Sequence, residues 1–324
     1  MKNILVIGAA GYIGSHTVRQ LAAGGYHPVI LDNLSKGHKE AVAGFDFEQG
    51  DFTDKACLER VFQKYDFAAV MHFAACTEVD RSVKDPATFY QNNTAGVLTL
   101  LTTMLAHNIK RFVFSSSAAI FGEPQADLIN ENHPTHPINP YGRSKLMVEK
   151  MLEDFDLAYG LKSAALRYFN ASGSDESGEI GESHSPETHL IARLVQTAAG
   201  KQNGFTVFGT DYPTPDGTCI RDFVHVNDLA RAHVLALAKL LNGSASLRFN
   251  LGSGNGHSVA EVVATVQKIT GQDFKVTHAP RRAGDPARLV ADSTRAKKIL
   301  GWQPKYDLTR IIQTAWQWEK HRKY

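Results

Sequence analysis

The sequence is short of cysteine, of long apolar runs and of net charge, and each shortage removes a class of protein. Its 324 residues include three cysteines, Cys57, Cys76 and Cys219. Three scattered thiols make neither a disulfide framework nor a zinc-finger spacing, so a reducing cytoplasm is the expected compartment. Histidine is plentiful at 14, but no H-E-x-x-H motif or Cys/His cluster is present. His184 and His189 stand five apart with no evident neighbour to complete a metal site. They read as loop or substrate-contact residues, and no metal is expected. No stretch reaches the roughly 18 apolar residues of a membrane span. The run Ile4–Ile7 enters a glycine-rich turn, too short for the about 7 to 15 apolar residues of a secretory leader. A soluble, unprocessed chain without a membrane partner is expected. Lys plus Arg number 35 and Asp plus Glu 33, leaving +2. Charge so near zero gives no ground for a nucleic-acid partner, and any phosphate recognition must be local. There is no internal repeat and no low-complexity tract.

What is present is ordinary globular material, 43% hydrophobic and 21% charged, with length enough for two domains or one large α/β unit. Ile4–Ile7 has the pattern of a strand buried on both faces. A helical pattern follows to Gly24-Gly25, and Pro28–Leu31 makes a second strand ending at Asp32. Further strands are expected at 68–73, 111–115 and 163–169. Helices are expected at 94–107, with an apolar stripe from Val97 to Leu105, and at 144–159, with Leu146, Met147, Met151, Leu152 and Phe155 in its stripe. Such alternation implies a parallel sheet covered on both faces. After Phe169 the rhythm breaks. Residues 170–221 are rich in Gly, Ser, Pro, Asp and Glu, with one helix near 190–199. A strand near 249, helices at 259–270 and 308–320 and a loop over 280–294 complete the chain. The expected division is residues 1–170 and 171–324, the strand near 249 being a candidate to return to the first domain.

Gly8-Ala9-Ala10-Gly11-Tyr12-Ile13-Gly14 is a G-x-x-G-x-x-G loop between the first strand and the first helix. Its glycines permit a tight turn and close backbone approach to a pyrophosphate, and the helix N-terminus presents free N–H groups to it. Asp32 lies 18 residues beyond Gly14. An acid there accepts both adenosine ribose hydroxyls and repels a 2′-phosphate, favouring NAD over NADP. Loops at the carboxyl ends of parallel strands line the ligand crevice. Asn33, Asp51, Phe52, Phe73, Ala74 and Ala75 fall in such loops. Asp51 suits the adenine amino group, and the small alanines let a cofactor approach; each alone also fits a turn acid or a core alanine. The expectation is an α/β protein with a Rossmann-type, doubly wound parallel sheet binding NAD, and a smaller C-terminal α/β substrate domain.

Tyr141 and Lys145 form a Y-x-x-x-K pair after Pro140, which can start a helix. Four residues apart on a helix, they share one face. A free tyrosine, with a pKa near 10, is a poor base. A nearby ammonium and a positive nicotinamide both favour the phenolate. The same spacing also suits an ordinary surface pair. Ser115-Ser116-Ser117 closes the preceding strand and offers a hydroxyl to the reacting oxygen, or a simple cap.

With the glycine loop, the strand-end serine and the Y-x-x-x-K helix in hand, the chain resembles the extended short-chain dehydrogenase/reductase family, in particular its UDP-sugar C4 epimerases. The most specific stretches are Ala10–His16, Asp32-Asn33-Leu34, His72–Ala75, Asn139–Lys145, Leu166–Asn170, Pro215–Thr218, Arg221–Val226 and Arg281-Arg282-Ala283-Gly284-Asp285. The resemblance implies that Tyr141 is the base, that Lys145 tunes it and that Ser117 is its hydrogen-bonding partner. It implies cofactor contacts at Asn92 and Phe169 and UDP-sugar contacts at Asn170, His189, Arg221, Arg282 and Asp285. Arg221 and Arg282 suit a diphosphate clamp, since guanidinium grips phosphate oxygens in bidentate fashion; two surface arginines read the same way. It also implies a homodimer through the helices at 94–107 and 144–159, whose stripes equally suit packing on their own sheet.

Departures from the family pattern are Ala9 for a glycine, Thr77 for a lysine near the cofactor, Asp80-Arg81 for Gly-Glu, and Phe121 for a tyrosine. Leu289 stands where some relatives carry a bulky tyrosine, which implies room for an N-acetyl group. Ala118 and Ala119 follow Ser117 where a sister dehydratase needs an acid. A non-catalytic NAD-sensing scaffold would need the glycine loop but not Ser117, Tyr141 and Lys145.

Overall fold

The computed structural model describes residues 1–282 and 284–324. Ala283, within the Arg281–Asp285 stretch, lies outside the described residues. The first half of the chain runs β1 (Asn3–Ile7), α1 (Tyr12–Ala23), β2 (His27–Asp32), β3 (Asp46–Gln49), α2 (Lys55–Lys64), β4 (Phe67–His72), α3 (Val79–Lys84), α4 (Pro86–Tyr90), α5 (Gly96–Ala106), β5 (Arg111–Ser117), α6 (Pro140–Tyr159) and β6 (Lys162–Tyr168). The second half runs β7 (Asn170–Ser172), α7 (Leu190–Ala198), β8 (Phe205–Phe208), β9 (Ile220–His225), α8 (Val226–Leu241), β10 (Leu247–Leu251), β11 (Gly256–Ser258), α9 (Val259–Thr270), β12 (Val276–Ala279), β13 (Arg288–Leu289), α10 (Thr294–Leu300) and α11 (Leu308–His321).

Two compact units result. The first comprises Met1–Gly122, Pro134–Arg167 and Ala230–Phe249. Its sheet has the order β3-β2-β1-β4-β5-β6-β10, and β1 pairs in parallel with both β2 and β4. This is the doubly wound arrangement, in which the strand order reverses between β1 and β4 and leaves a crevice at their carboxyl ends. The apolar run of β1 is fully buried because helices cover both faces of a parallel sheet. Leu5, Val29, Val70, Leu101, Phe112 and Val148 share one core cluster.

The second unit comprises Glu123–His133, Tyr168–Leu229 and Asn250–Tyr324. Its small sheet runs β11-β9-β13, with β7 also on β9. A separate core joins Leu194, Phe223, Val262 and Ile312. Against the expected cut at residue 170, the units part at Arg167/Tyr168, residues 230–249 rejoin the first unit, and 123–133 cluster with the second. The expected loop over 280–294 contains β13.

Two helices depart from their expected patterns. The segment expected as one helix from 94 begins with a π-helical stretch, Gln91–Ala95, continuous with α4 before it and α5 after it. In α6 the buried residues include Ser144, Lys145 and Glu149, whereas Met147 is exposed. The apolar stripe read from the sequence is therefore only partly the buried face. Lys145 and Glu149 turn inward because each finds a partner on the sheet.

Candidate active site

In the first unit, the loop after β1 is built around close approach. Gly8 adopts φ +74°, and a Cβ on it would stand 2.4 Å from the backbone nitrogen of Ala74, at the end of the neighbouring strand β4. A Cβ on Gly14 would stand 2.6 Å from the Gly8 carbonyl oxygen. Gly11 precedes α1 with no side-chain cap, and no acid occupies the first turn, so Tyr12, Ile13 and Gly14 open the helix toward an anion. Asp32 is buried; its two oxygens accept from Ala10 N at 2.9 Å and Leu34 N at 2.8 Å. Burial raises its carboxyl pKa, against the pull of those two amides.

Asn33 donates from Nδ2 to Asp51 Oδ2 at 2.9 Å, while Asp51 Oδ1 accepts from Thr53 N at 2.8 Å. Burial would raise the Asp51 carboxyl, but the bonds from Thr53 and Asn33 hold it below its ordinary value. The buried Phe52 ring meets His72 edge-on. Phe73 N donates to Ile7 O at 2.8 Å, which fastens Phe73, Ala74 and Ala75 beside the glycine loop. These are features a dinucleotide requires: room that a Cβ would fill, an uncapped helix N-terminus and an acid at the end of β2. The residues present fit NAD.

The Ser-Tyr-Lys group lies in the same unit. Lys145 Nζ donates to the Ser115 carbonyl at 2.8 Å and sits 4.9 Å from the Phe114 ring centroid and 5.9 Å from that of Tyr141. Burial lowers its pKa to about 7. Burial raises the Tyr141 phenol, and a hydrogen bond with Ser117 draws it back. Ser117 Oγ also accepts from Ala119 N at 3.1 Å. One turn beyond Lys145, Glu149 accepts from Ser116 Oγ at 2.6 Å and from Arg167 Nη2 at 2.6 Å. Tyr141, Lys145 and Glu149, at i, i+4 and i+8, thus reach Ser117, Ser115 and Ser116 in turn. Beneath them His72 is stacked on Phe112 and Phe114. Burial, with the charge of Lys145, lowers its pKa to about 3, so it stays neutral.

Two positioning residues escaped the sequence reading. Asn93, next to the expected Asn92, is buried. Its Oδ1 accepts from Asn92 Nδ2 and Cys76 N, each at 2.8 Å, and its Nδ2 donates to Ser144 Oγ at 3.2 Å. It links the loop after β4 to the first turn of α6; a lone asparagine carries no motif that would flag it. Asp222, in the second unit, is fully buried and accepts from Ser253 N, Gly254 N and Ala291 N at 2.7–3.1 Å. Burial raises its pKa.

Also in the second unit, Arg221 Nη2 lies 2.6 Å from Asp285 Oδ1, so two expected substrate residues meet. Leu289 is in register with Arg221 across β13 and β9. Asn170 Nδ2 donates to Asp222 O at 3.0 Å, and Phe169 N donates to Leu251 O at 3.2 Å. Arg282 lies over the Phe208 ring at 4.0 Å. His189 is not with them: it gathers with Glu182, His184 and Glu187, their ligand atoms within 4.8 Å of one another. Around His184 and His189, for which the sequence showed no evident neighbour, the fold brings Glu182 and Glu187. The signal was a Glu-x-His pair repeated after five residues, 182/184 and 187/189.

The cradle and the Ser117–Tyr141–Lys145 group define a class, an α/β protein that holds a dinucleotide beside a tyrosine base. The chain belongs to the NAD dependent epimerase/dehydratase family, whose model matches residues 4–252. It is 51% identical over 321 residues to a UDP-glucose 4-epimerase of Rhizobium meliloti, covering 99% of this chain and 98% of that relative. Among solved structures, the Brucella ovis UDP-glucose 4-epimerase in complex with NAD superposes with a TM-score of 0.95 at 50% identity, covering 98% of each chain. The Campylobacter jejuni UDP-Glc/GlcNAc 4-epimerase superposes with a TM-score of 0.87 at 44% identity, covering 99% of this chain and all of that one.

Proposed function

We propose that the protein interconverts UDP-glucose and UDP-galactose, by oxidation at C4 to a 4-keto sugar, rotation of that sugar and reduction on its other face. The observation that carries this reading is the gathering of Ser117, Tyr141 and Lys145 between the end of β5 and the start of α6, in the same unit as the glycine cradle. The glycine cradle and Asp32 would hold NAD, which would supply reversible hydride transfer at C4. Tyr141 takes the proton of the sugar 4-hydroxyl and returns it, while Ser117 hydrogen-bonds the reacting oxygen. Lys145, held by Ser115 O, brings positive charge near the phenol and so favours its ionised form. The first unit holds NAD, with Asn92 as a further contact. The second holds the UDP-sugar through Asn170, Arg221, Arg282 and Asp285.

A second reading concerns the sugar. Leu289, in register with Arg221, is shorter than tyrosine and leaves room for an N-acetyl group. Likeness to the Campylobacter jejuni protein named for both sugars supports a dual UDP-glucose and UDP-N-acetylglucosamine 4-epimerase. We further propose a cytoplasmic homodimer acting in galactose metabolism. Exposed apolar side chains on the two helices concerned, Leu98 on α5 and Met147 and Leu157 on α6, support the dimer. Among the described residues no helix is long and apolar enough to cross a membrane.

The test is a panel of UDP-sugars with coupled detection of the C4 epimer. UDP-galactose is expected to turn over and to leave a trace of trapped NADH fluorescence. Absence of any C4 epimer with NAD-loaded protein overturns the reading.

A further inference from the structure

A loop, residues 173–189, joins β7 to α7 and ends on His189, just before the first turn of α7. A connection of this length is held by contacts of its own or serves a site. Three successive residues of it, Gly181, Glu182 and Ser183, are clamped by α11 and the segment after it. Trp318 Nε1 on α11 donates to Glu182 O at 2.9 Å. Gly181 lies against the same indole, where a Cβ would stand 2.4 Å from Trp318 Cγ. The Tyr324 ring packs on Trp318 with centroids 4.8 Å apart. Its hydroxyl accepts from Gly181 N at 3.3 Å, and its main-chain oxygen accepts from Ser183 Oγ at 3.2 Å. Arg322 closes the clamp, donating from Nε to Tyr324 O at 2.7 Å and from Nη2 to Ser183 Oγ at 2.5 Å.

The side chain held by this clamp is that of Glu182, 7% exposed. Its Oε1 meets His189 Nδ1 directly and lies 3.4 Å from His184 Nδ1. Burial would raise the Glu182 carboxyl, but the two imidazoles hold it well below its ordinary value. The charge of Glu182 in turn raises the pKa of His189. The His189 side chain is itself 52% exposed, and its Nε2 has no partner among the described residues. Beside it, α7 opens with neither a side-chain cap nor an acid in its first turn. A ring N–H next to such a helix end suits an anion, and the family position of His189 implies contact with the UDP-sugar.

We propose that Glu182 is a positioning residue for the nucleotide-sugar, fixing the His189 ring through Nδ1 so that Nε2 meets the ligand, and that Trp318 and Tyr324 hold Glu182 in place. The inference rests on the UDP-sugar reading above. A carboxylate on one ring nitrogen sets the tautomer and orientation of an imidazole and leaves the other nitrogen for a ligand. Without it, the half-exposed ring keeps its rotamer freedom, and binding must order it. That loss is common to the bound substrate and the transition state, so KM rises while kcat stays.

The experiment is a double-mutant cycle on NAD-loaded protein, read as KM and kcat for UDP-galactose, as Kd for UDP by calorimetry and as melting temperature. Glu182→Ala is expected to raise KM and Kd by about 10-fold, within the range for residues coupled in one network, with kcat nearly unchanged. Glu182→Gln, which keeps an acceptor of the same size, should restore part of the affinity. Trp318→Phe and Tyr324→Ala should shift KM in the same direction by less. In a His189→Ala background, Glu182→Ala should change KM and Kd no further. If Glu182→Ala does not fold, Glu182→Gln carries the same comparison. An equal effect of the Glu182 change with and without His189, or a lower melting temperature with KM and Kd unmoved, makes Glu182 a structural residue and overturns the proposal. Wild-type protein that neither binds UDP nor converts UDP-galactose overturns the underlying reading as well, a result seen before any variant is made.

Discussion

Lys145 Nζ is bonded at 2.8 Å to the carbonyl of Ser115, two residues before Ser117. One buried ammonium thus fastens α6 to the strand that carries Ser117, the proposed partner of the reacting oxygen. Its pKa of about 7 lies below the ordinary 10.5, chiefly through burial. Between those two values the unfolded chain binds a proton that the folded one does not. The contribution of Lys145 therefore improves stability as pH rises from about 7 toward 10.5, and it is at its worst and constant below 7. Urea denaturation of wild type and Lys145→Met over this range should give curves that diverge, wild type gaining on the variant above pH 7. Parallel curves would contradict a lowered Lys145 pKa. Tyr141→Phe, in contrast, should retain NAD while turnover falls by roughly 10²–10⁴-fold, as for loss of a general base.

The Glu149–Arg167 pair, 2% and 3% exposed, makes a different kind of prediction. Arg167→Met leaves a buried carboxylate with only Ser116 to answer it, and should cost about 3–5 kcal/mol. The double change Glu149→Leu/Arg167→Met removes both charges and should recover most of that loss. Chemical denaturation of the three proteins decides it. A double variant as unstable as the single one would mean that packing, not the unpaired charge, sets the cost.

Gly8→Ala and Gly25→Ala share a positive φ, +74° and +79°, but differ in surroundings. Nothing lies within 4 Å of a Cβ on Gly25, whereas one on Gly8 meets the Ala74 backbone. Gly25→Ala should cost only the backbone strain, about 1 kcal/mol. Gly8→Ala should cost distinctly more and release NAD, read from the absorbance ratio of the purified protein. Equal behaviour of the two variants would show that the β1–β4 approach does not matter.

Leu289→Tyr tests the sugar specificity. The larger ring should cut kcat/KM for UDP-N-acetylglucosamine by about 10-fold or more, through steric exclusion, and leave UDP-galactose nearly unchanged. Equal losses on both sugars would remove Leu289 from the specificity question.

Much of the first unit was legible in the sequence because its signals are local. Buried parallel strands are short apolar runs, and Gly8, Gly11, Gly14 and Asp32 sit at spacings set by one β-α-β unit. The inward face of α6 was harder to read. Lys145 and Glu149 are buried only because Ser115, Ser116 and Arg167 arrive from elsewhere in the chain, and a search for apolar periodicity passes over them. Short strands such as β7, β11 and β13 have too few residues for a period. The gathering of Glu182, His184, Glu187 and His189 was not legible because the segment 170–221 reads only as polar loop and the ion pairs depend on how that loop folds. Asn93 and Asp222 act through backbone amides, which no residue pattern marks.

The position of β10 at the sheet edge bears on synthesis. β6 is complete at Tyr168, but the strand that covers its outer edge ends at Leu251. At about 5–20 residues per second, the ribosome needs on the order of 4–17 s to make the intervening chain. For that time β6 presents unpaired amides and carbonyls, the condition that invites strand addition from another nascent chain. Truncated or stalled translation products ending before residue 247 should accordingly aggregate more readily than those ending after 251.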